Sequence, residues 1–104
     1  MNLAEALAGL IGVRAAIDFA WSVEGSTSRR RRLRTILLRL DREIAIVTEK
    51  SALDPDVVYV PVAGNFVLIA RDLIWARNQA DTLAISPAER GRVVSWVASI
   101  LNRF

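Results

Sequence analysis

Leu33, Ile36, Leu37, Leu40, Ile44 and Val47 recur at spacings of three and four, which places all six on one side of a helix turning 100° per residue. The same period governs three further stretches, and that repetition constrains the fold more than any single motif. Between residues 3 and 23, Leu3, Leu7, Leu10, Ile17 and Trp21 share a face. Between 62 and 83, Val62, Phe66, Ile69, Leu73, Ala76, Ala80 and Leu83 form a seam close to heptad, while Val67, Leu68, Ile74 and Trp75 make most other faces apolar. A helix apolar nearly all round is one enclosed by its neighbours. Val93, Trp96, Val97, Ile100, Leu101 and Phe104 line a last helix. The pattern predicts an all-α fold: one helical domain over residues 1–104, a compact bundle of about four helices with the third central.

Local signals punctuate these segments. Glu24-Gly25-Ser26-Thr27-Ser28 reads as a turn, with Gly25 stopping the first helix and Thr27 or Ser28 capping a second that runs from about 29 to 50. Ser86, Pro87 and Glu89 spell an N-cap, a proline at the first helical position and a capping box. Short connections at 24–28 and 84–86 favour antiparallel neighbours. Residues 51–61 stay ambiguous. Asp54-Pro55-Asp56 suits a helix start, whereas Val57-Val58-Tyr59-Val60, blocked by Pro61, suits a short irregular or extended segment near 55–61. One strand without a partner makes no sheet.

The chain contains neither histidine nor cysteine. That removes the ordinary Ser-His-Asp triad, the Cys-His pair, the thiol nucleophile and the usual zinc ligands together. Asp54 and Asp56, like Asp41 and Glu43, lie two apart, and residues two apart on a helix do not share a face. The glycines form no phosphate-binding loop. A non-enzymatic protein with no cofactor and no metal site is expected.

Hydrophobic residues make up 53% of the chain and its mean hydropathy is +0.31. Large exposed apolar patches on monomers are rare, so self-association is expected. A ridge of small residues, Ala4, Ala8, Gly12, Ala16 and Ala20, repeats every four positions along the first helix. Glycine inside a helix costs about 1 kcal/mol relative to alanine, so small size at Gly9 and Gly12 points to close packing. The ridge fits a helix crossing within the chain, a homodimer seam with Trp21 at its end, or a small-xxx-small membrane face. Glu5, Arg14 and Asp18 interrupt the apolar run, and a mid-span arginine costs about 2.5–3.5 kcal/mol on insertion scales. The second apolar run, 57–70, falls short of the roughly 20 residues a spanning helix requires. The chain therefore reads as cytoplasmic and not transmembrane.

Against this background stand Arg29, Arg30, Arg31, Arg32 and Arg34, five arginines in six positions. Taking five from the fourteen basic residues leaves nine against eleven acidic ones, so the net charge of +3 belongs to one patch. Arg31, Arg32, Arg39 and Arg42 project opposite the apolar stripe, with Arg34 at the margin. Arg39 and Glu43 stand four apart, and Asp41, Glu43 and Glu49 balance Arg39, Arg42 and Lys50. Arg71, Asp72 and Arg77 are expected to reach solvent or pair with one another, and Trp75 and Trp96 to pack in the core.

Cations in a first helical turn oppose the macrodipole by about 0.3–1 kcal/mol each, so stability alone does not ask for this run. It fits a solvated or internally paired face, an acidic protein surface, a nucleic-acid backbone or an anionic membrane. No aromatic residue lies between Glu24 and Asp56, which argues against base stacking. The expected function is a small, self-associating interaction protein that docks an acidic protein partner through Arg29, Arg30, Arg31, Arg32, Arg34, Arg39 and Arg42. The alternative is an accessory nucleic-acid-binding protein using the same arginines on phosphate.

Overall fold

A computed structural model describes residues 1–60 and ten further positions, Leu68, Arg71, Asp72, Ile74, Trp75, Asn78, Pro87, Ala88, Gly91 and Ser95, every one of the ten helical. Two helices are delimited: α1, Leu3–Val23, and α2, Thr27–Leu53. They form an antiparallel hairpin across a three-residue link. The fold is all-helical; the β pairing among the described residues is a single bridge, Asn2 to Val58. The number and order of helices beyond α2, the capping box at Ser86 and Glu89, and Trp96 lie outside the described residues.

The start of α1 shows why the segment after α2 returns to it. A helix leaves its first four backbone N–H groups without partners inside the helix. Here Leu3 donates to the Val57 carbonyl at 2.9 Å and Ala4 to the Pro55 carbonyl at 3.2 Å. Glu5 donates to the Asn2 side chain at 2.8 Å, and Ala6 to the Asn2 carbonyl at 3.0 Å. The Glu5 carboxylate accepts from the Asn2 N–H at 3.2 Å, closing a capping box. Tyr59 N–H then donates to the Met1 carbonyl at 3.0 Å. Residues 54–60 are thus a strap across the N-terminus of α1, a turn at 55–56 followed by a single bridge residue at Val58, in keeping with the short irregular or extended segment expected there.

Asp54 ends a helix and does not begin one. Proline disfavours the helical region for the residue before it, and Asp54 is extended, with φ −157° and ψ 105°. Its N–H donates to the Lys50 carbonyl at 3.2 Å, and its side chain accepts from the Asp56 N–H at 3.1 Å. At the other end, Ser26 caps α2, accepting from the Arg29 N–H at 3.4 Å, so the helix starts earlier than caps at Thr27 or Ser28 would have it. Gly25 needs no left-handed backbone: no described residue has positive φ, and α1 stops because Glu24 turns extended at φ −72°, ψ 125°.

The predicted stripes meet in one core. Leu10, Val13 and Ile17 of α1 are fully buried with Leu33, Ile36, Leu40 and Val47 of α2, while Leu7, Trp21, Ile44, Ile74 and Trp75 pack at its edge. Trp75 thus packs against the core as expected. Ala6, Ala16 and Ala20 are also fully buried, which permits a close helix approach. The small-residue ridge does not run along one seam, however. Each step of four residues advances 400°, so the row drifts 40° per step and 160° from Ala4 to Ala20. Ala4 and Ala8 face solvent, Gly12 is half-buried, and Ala16 and Ala20 lie in the core.

One polar pair is sealed beside this core. Glu43, 1% exposed, accepts from the Tyr59 hydroxyl at 2.7 Å. Arg39 instead pairs with Asp72, and Glu43 sits within the stripe, between Leu40 and Val47. Burial, then the bond to Glu43, raises the Tyr59 phenol above its ordinary 10.0. We predict that Tyr59→Phe lowers unfolding free energy by about 1–3 kcal/mol, measured by urea denaturation, because the buried Glu43 carboxylate loses one hydrogen bond. A phenol raised in the folded state adds stability that is complete below its ordinary value and declines as pH rises beyond it. The gap between wild type and Tyr59→Phe should therefore narrow above pH 10.

Candidate functional site

The seven candidate arginines of α2 separate into two groups. Arg29, Arg32 and Arg39 turn along one flank of the helix toward carboxylates of the same chain. Arg29 donates to Glu24 at 3.1 Å. Arg32 reaches one oxygen of Asp72 at 3.0 Å, and Arg39 hydrogen-bonds the other. Asp72 is 1% exposed, so two cations compensate one buried carboxylate. It neither reaches solvent nor depends on Arg71, as the sequence reading had it; Arg77 lies outside the described residues. The Nε atoms of Arg29 and Arg32 are buried without hydrogen-bond partners; both side chains act through their terminal nitrogens.

Glu24 carries a further role. It accepts from the Ser26 N–H at 2.9 Å as well as from Arg29. Those two bonds, the backbone one first, hold its carboxyl below the ordinary 4.5. A negative charge therefore stands at the N-terminus of α2, where the macrodipole favours it and where the arginines most need it.

Arg30, Arg31, Arg34 and Arg42 form the second group, and all are exposed. Arg30 lies over the Trp21 ring, 4.6 Å from its centre. Among the described residues, no carboxylate stands within ion-pair distance of Arg31, Arg34 or Arg42. Between them, one turn from Arg34 and one from Arg42, Leu38 is 60% exposed.

Aromatic groups are close to these arginines after all. None lies between Glu24 and Asp56 in sequence, but the hairpin brings Trp21 under Arg30, and Trp75 comes within 5.2 Å of Arg32. The interhelical signal that could have found Trp21 is its position opposite Arg30 across a short turn. Beside Trp21 a crevice of about 190 Å³ opens between the helices, its walls including Leu37, Leu38, Arg34 and Asp18. Arg14 and Asp41 bridge the helices at one end, Arg14 Nη2 standing 3.4 Å from Asp41; this bond raises the Arg14 guanidinium further. A larger cleft of about 420 Å³ lies at the far end of α2, between Leu3, Ile46, Leu53 and Val58. It is mainly apolar, and its buried Glu43 is bonded to its own Tyr59.

The outer face of α1 is largely apolar, interrupted by exposed Asp18 and Ser22. Ala4, Ala8 and Ala15 are exposed, Ile11 is 52% exposed and Phe19 53%. By length and composition alone α1 could cross a membrane. Among the described residues, no group of three carboxylates comes together to hold a metal ion. Comparison with protein-family models, with curated proteins and with solved structures finds no match for the chain.

The Asp72 cluster should respond asymmetrically to substitution. Arg32→Gln with Arg39→Gln leaves a buried carboxylate without a cation and should cost about 3–5 kcal/mol in denaturant unfolding. Asp72→Asn should cost clearly less, because the two arginine side chains are 37% and 31% exposed and can rehydrate.

Proposed function

We propose that this chain is a non-enzymatic, cytoplasmic helical interaction protein that self-associates and docks an acidic protein partner through the outer face of α2. The observation that carries the reading is the division of the arginines. Three are committed to Glu24 and Asp72, whereas Arg31, Arg34 and Arg42 stand exposed around Leu38 with no carboxylate partner among the described residues. An unneutralised cluster of guanidinium groups recognises carboxylates through charge-assisted, bidentate hydrogen bonds. The reading assigns Arg29, Arg32 and Arg39 to holding that face in place.

Self-association is supported by the outward face of α1. Its exposed part runs through Ala4, Ala8, Ile11, Ala15 and Phe19, with Asp18 and Ser22 among them, while Ala16 and Ala20 serve the core and Trp21 the crevice. Burial of seven α1 residues in the core and the contact of Arg14 with Asp41 favour packing against protein over a lipid-spanning role. A second reading is binding of a nucleic-acid backbone through the same exposed arginines, which pair with phosphate as they do with carboxylate.

Titration of poly-glutamate and of a duplex DNA at low salt, with wild type and with Arg31, Arg34 and Arg42 all changed to Gln, tests the reading. Poly-glutamate should bind wild type, and the triple variant should lose at least tenfold in affinity while keeping its unfolding midpoint. Absence of binding to either polyanion rejects both readings. If DNA binds through these three arginines, roughly −0.9 per phosphate gives a log–log salt slope of about −2.7. Light scattering should show a mass above 11.5 kDa at micromolar concentration, and Ile11→Glu with Phe19→Glu should return it to the monomer value.

A further inference from the structure

Arg34, Leu38 and Arg42 lie four residues apart on α2, so they form a cation–apolar–cation ladder rising about 6 Å per step. Leu38, 60% exposed, also lines the crevice together with Trp21 and the buried Leu37. Resting on the docking reading, we propose that this crevice seats one bulky apolar side chain of the partner, presented on a helix whose carboxylates stand one turn before and one turn after it. Those carboxylates meet Arg34 and Arg42, and the anchor side chain covers Leu38 and enters beside Trp21.

Three features select this occupant. The volume of about 190 Å³ is on the scale of a single side chain. Tryptophan and arginine together at a crevice are the composition of an interface hot spot. The charge pattern also discriminates between partners. Asp18 stands in the crevice wall and Asp41 at its end, the latter balanced by Arg14, while Arg30 already covers the Trp21 ring. A duplex carries a negative charge about every 1.7 Å of its axis and would bring phosphates against Asp18. A peptide places carboxylates only where arginines await them and offers a neutral group to the crevice.

The test uses fluorescein-labelled 17-residue helical peptides in anisotropy titrations. One carries Glu, Leu and Glu at i, i+4 and i+8, and a second has Ala in place of that Leu. On wild type, the Leu peptide should bind about tenfold tighter than the Ala peptide, the effect of burying part of one leucine. Leu38→Ser, at a site 60% exposed, should remove most of that difference, and Arg34→Gln with Arg42→Gln should weaken both peptides. Equal binding of the two peptides to wild type overturns the crevice proposal while leaving charge-based docking standing. Failure of both peptides, together with failure of poly-glutamate, removes the docking reading itself. A single-stranded oligonucleotide that displaces the Leu peptide and is weakened by Leu38→Ser assigns the crevice to a base and overturns the proposal.

Discussion

Burial of one carboxylate between two arginines organises this protein. Asp72 comes from beyond the hairpin, is almost wholly removed from water, and is held by Arg32 and Arg39. Such a charge is tolerable in a protein interior only when paired and hydrogen-bonded, so it fixes Asp72 against α2. Trp75, three residues on, is placed within 5.2 Å of Arg32 by the same contact. The cluster also accounts for an apparent cost in the sequence. Arginines crowded at a helix start oppose the macrodipole and repel one another, but Glu24 and Asp72 neutralise part of that charge and orient three of the seven side chains. Arg31, Arg34 and Arg42 can then point outward from a helix whose position is already secured.

How much of this was legible beforehand depends on the range of the interaction. The 3–4 spacing of Leu33 through Val47 defined the buried side of α2, and Leu3 through Trp21 marked that of α1, because helical period is a local property. The same spacing held the signal for Glu43: three residues after Leu40 and four before Val47, it belongs to the apolar stripe. The four-residue interval to Arg39 suggested an ion pair instead, and Arg39 pairs with Asp72. Residues 51–61 were ambiguous because Asp-Pro serves at either end of a helix; what decides it is the restriction that Pro55 places on Asp54, which ends α2. The Asn2 and Glu5 capping box was present in the sequence and passed unread.

The candidate site was legible in its charges and opaque in its partners. Seven arginines could be named from the sequence, but nothing local says that Arg32 and Arg39 converge on a residue more than thirty positions away. Nor does the composition of residues 24–56 show that Trp21 folds back beneath Arg30. The small-residue ridge illustrates the reverse case. Its regular spacing of four suggested one continuous seam, and that same spacing carries it around α1, so Ala16 and Ala20 are spent on the core. Exposed apolar surface on α1 continues instead through Ile11 and Phe19.

The partition of the arginines bears on how a partner could act. An anion that engages Arg31, Arg34 and Arg42 breaks no contact among the described residues and meets a prepared surface. One that recruits Arg32 and Arg39 must first take them from Asp72 and leave that carboxylate buried without a cation. At about 3–5 kcal/mol for breaking such a cluster, the observed affinity would fall by roughly two to four orders of magnitude. Under the proposed function, ligands that match the outward ladder around Leu38 would be favoured over any polyanion able to wrap the entire arginine run. On the proposed docking reading, specificity would rest on which arginines the chain has already claimed for itself.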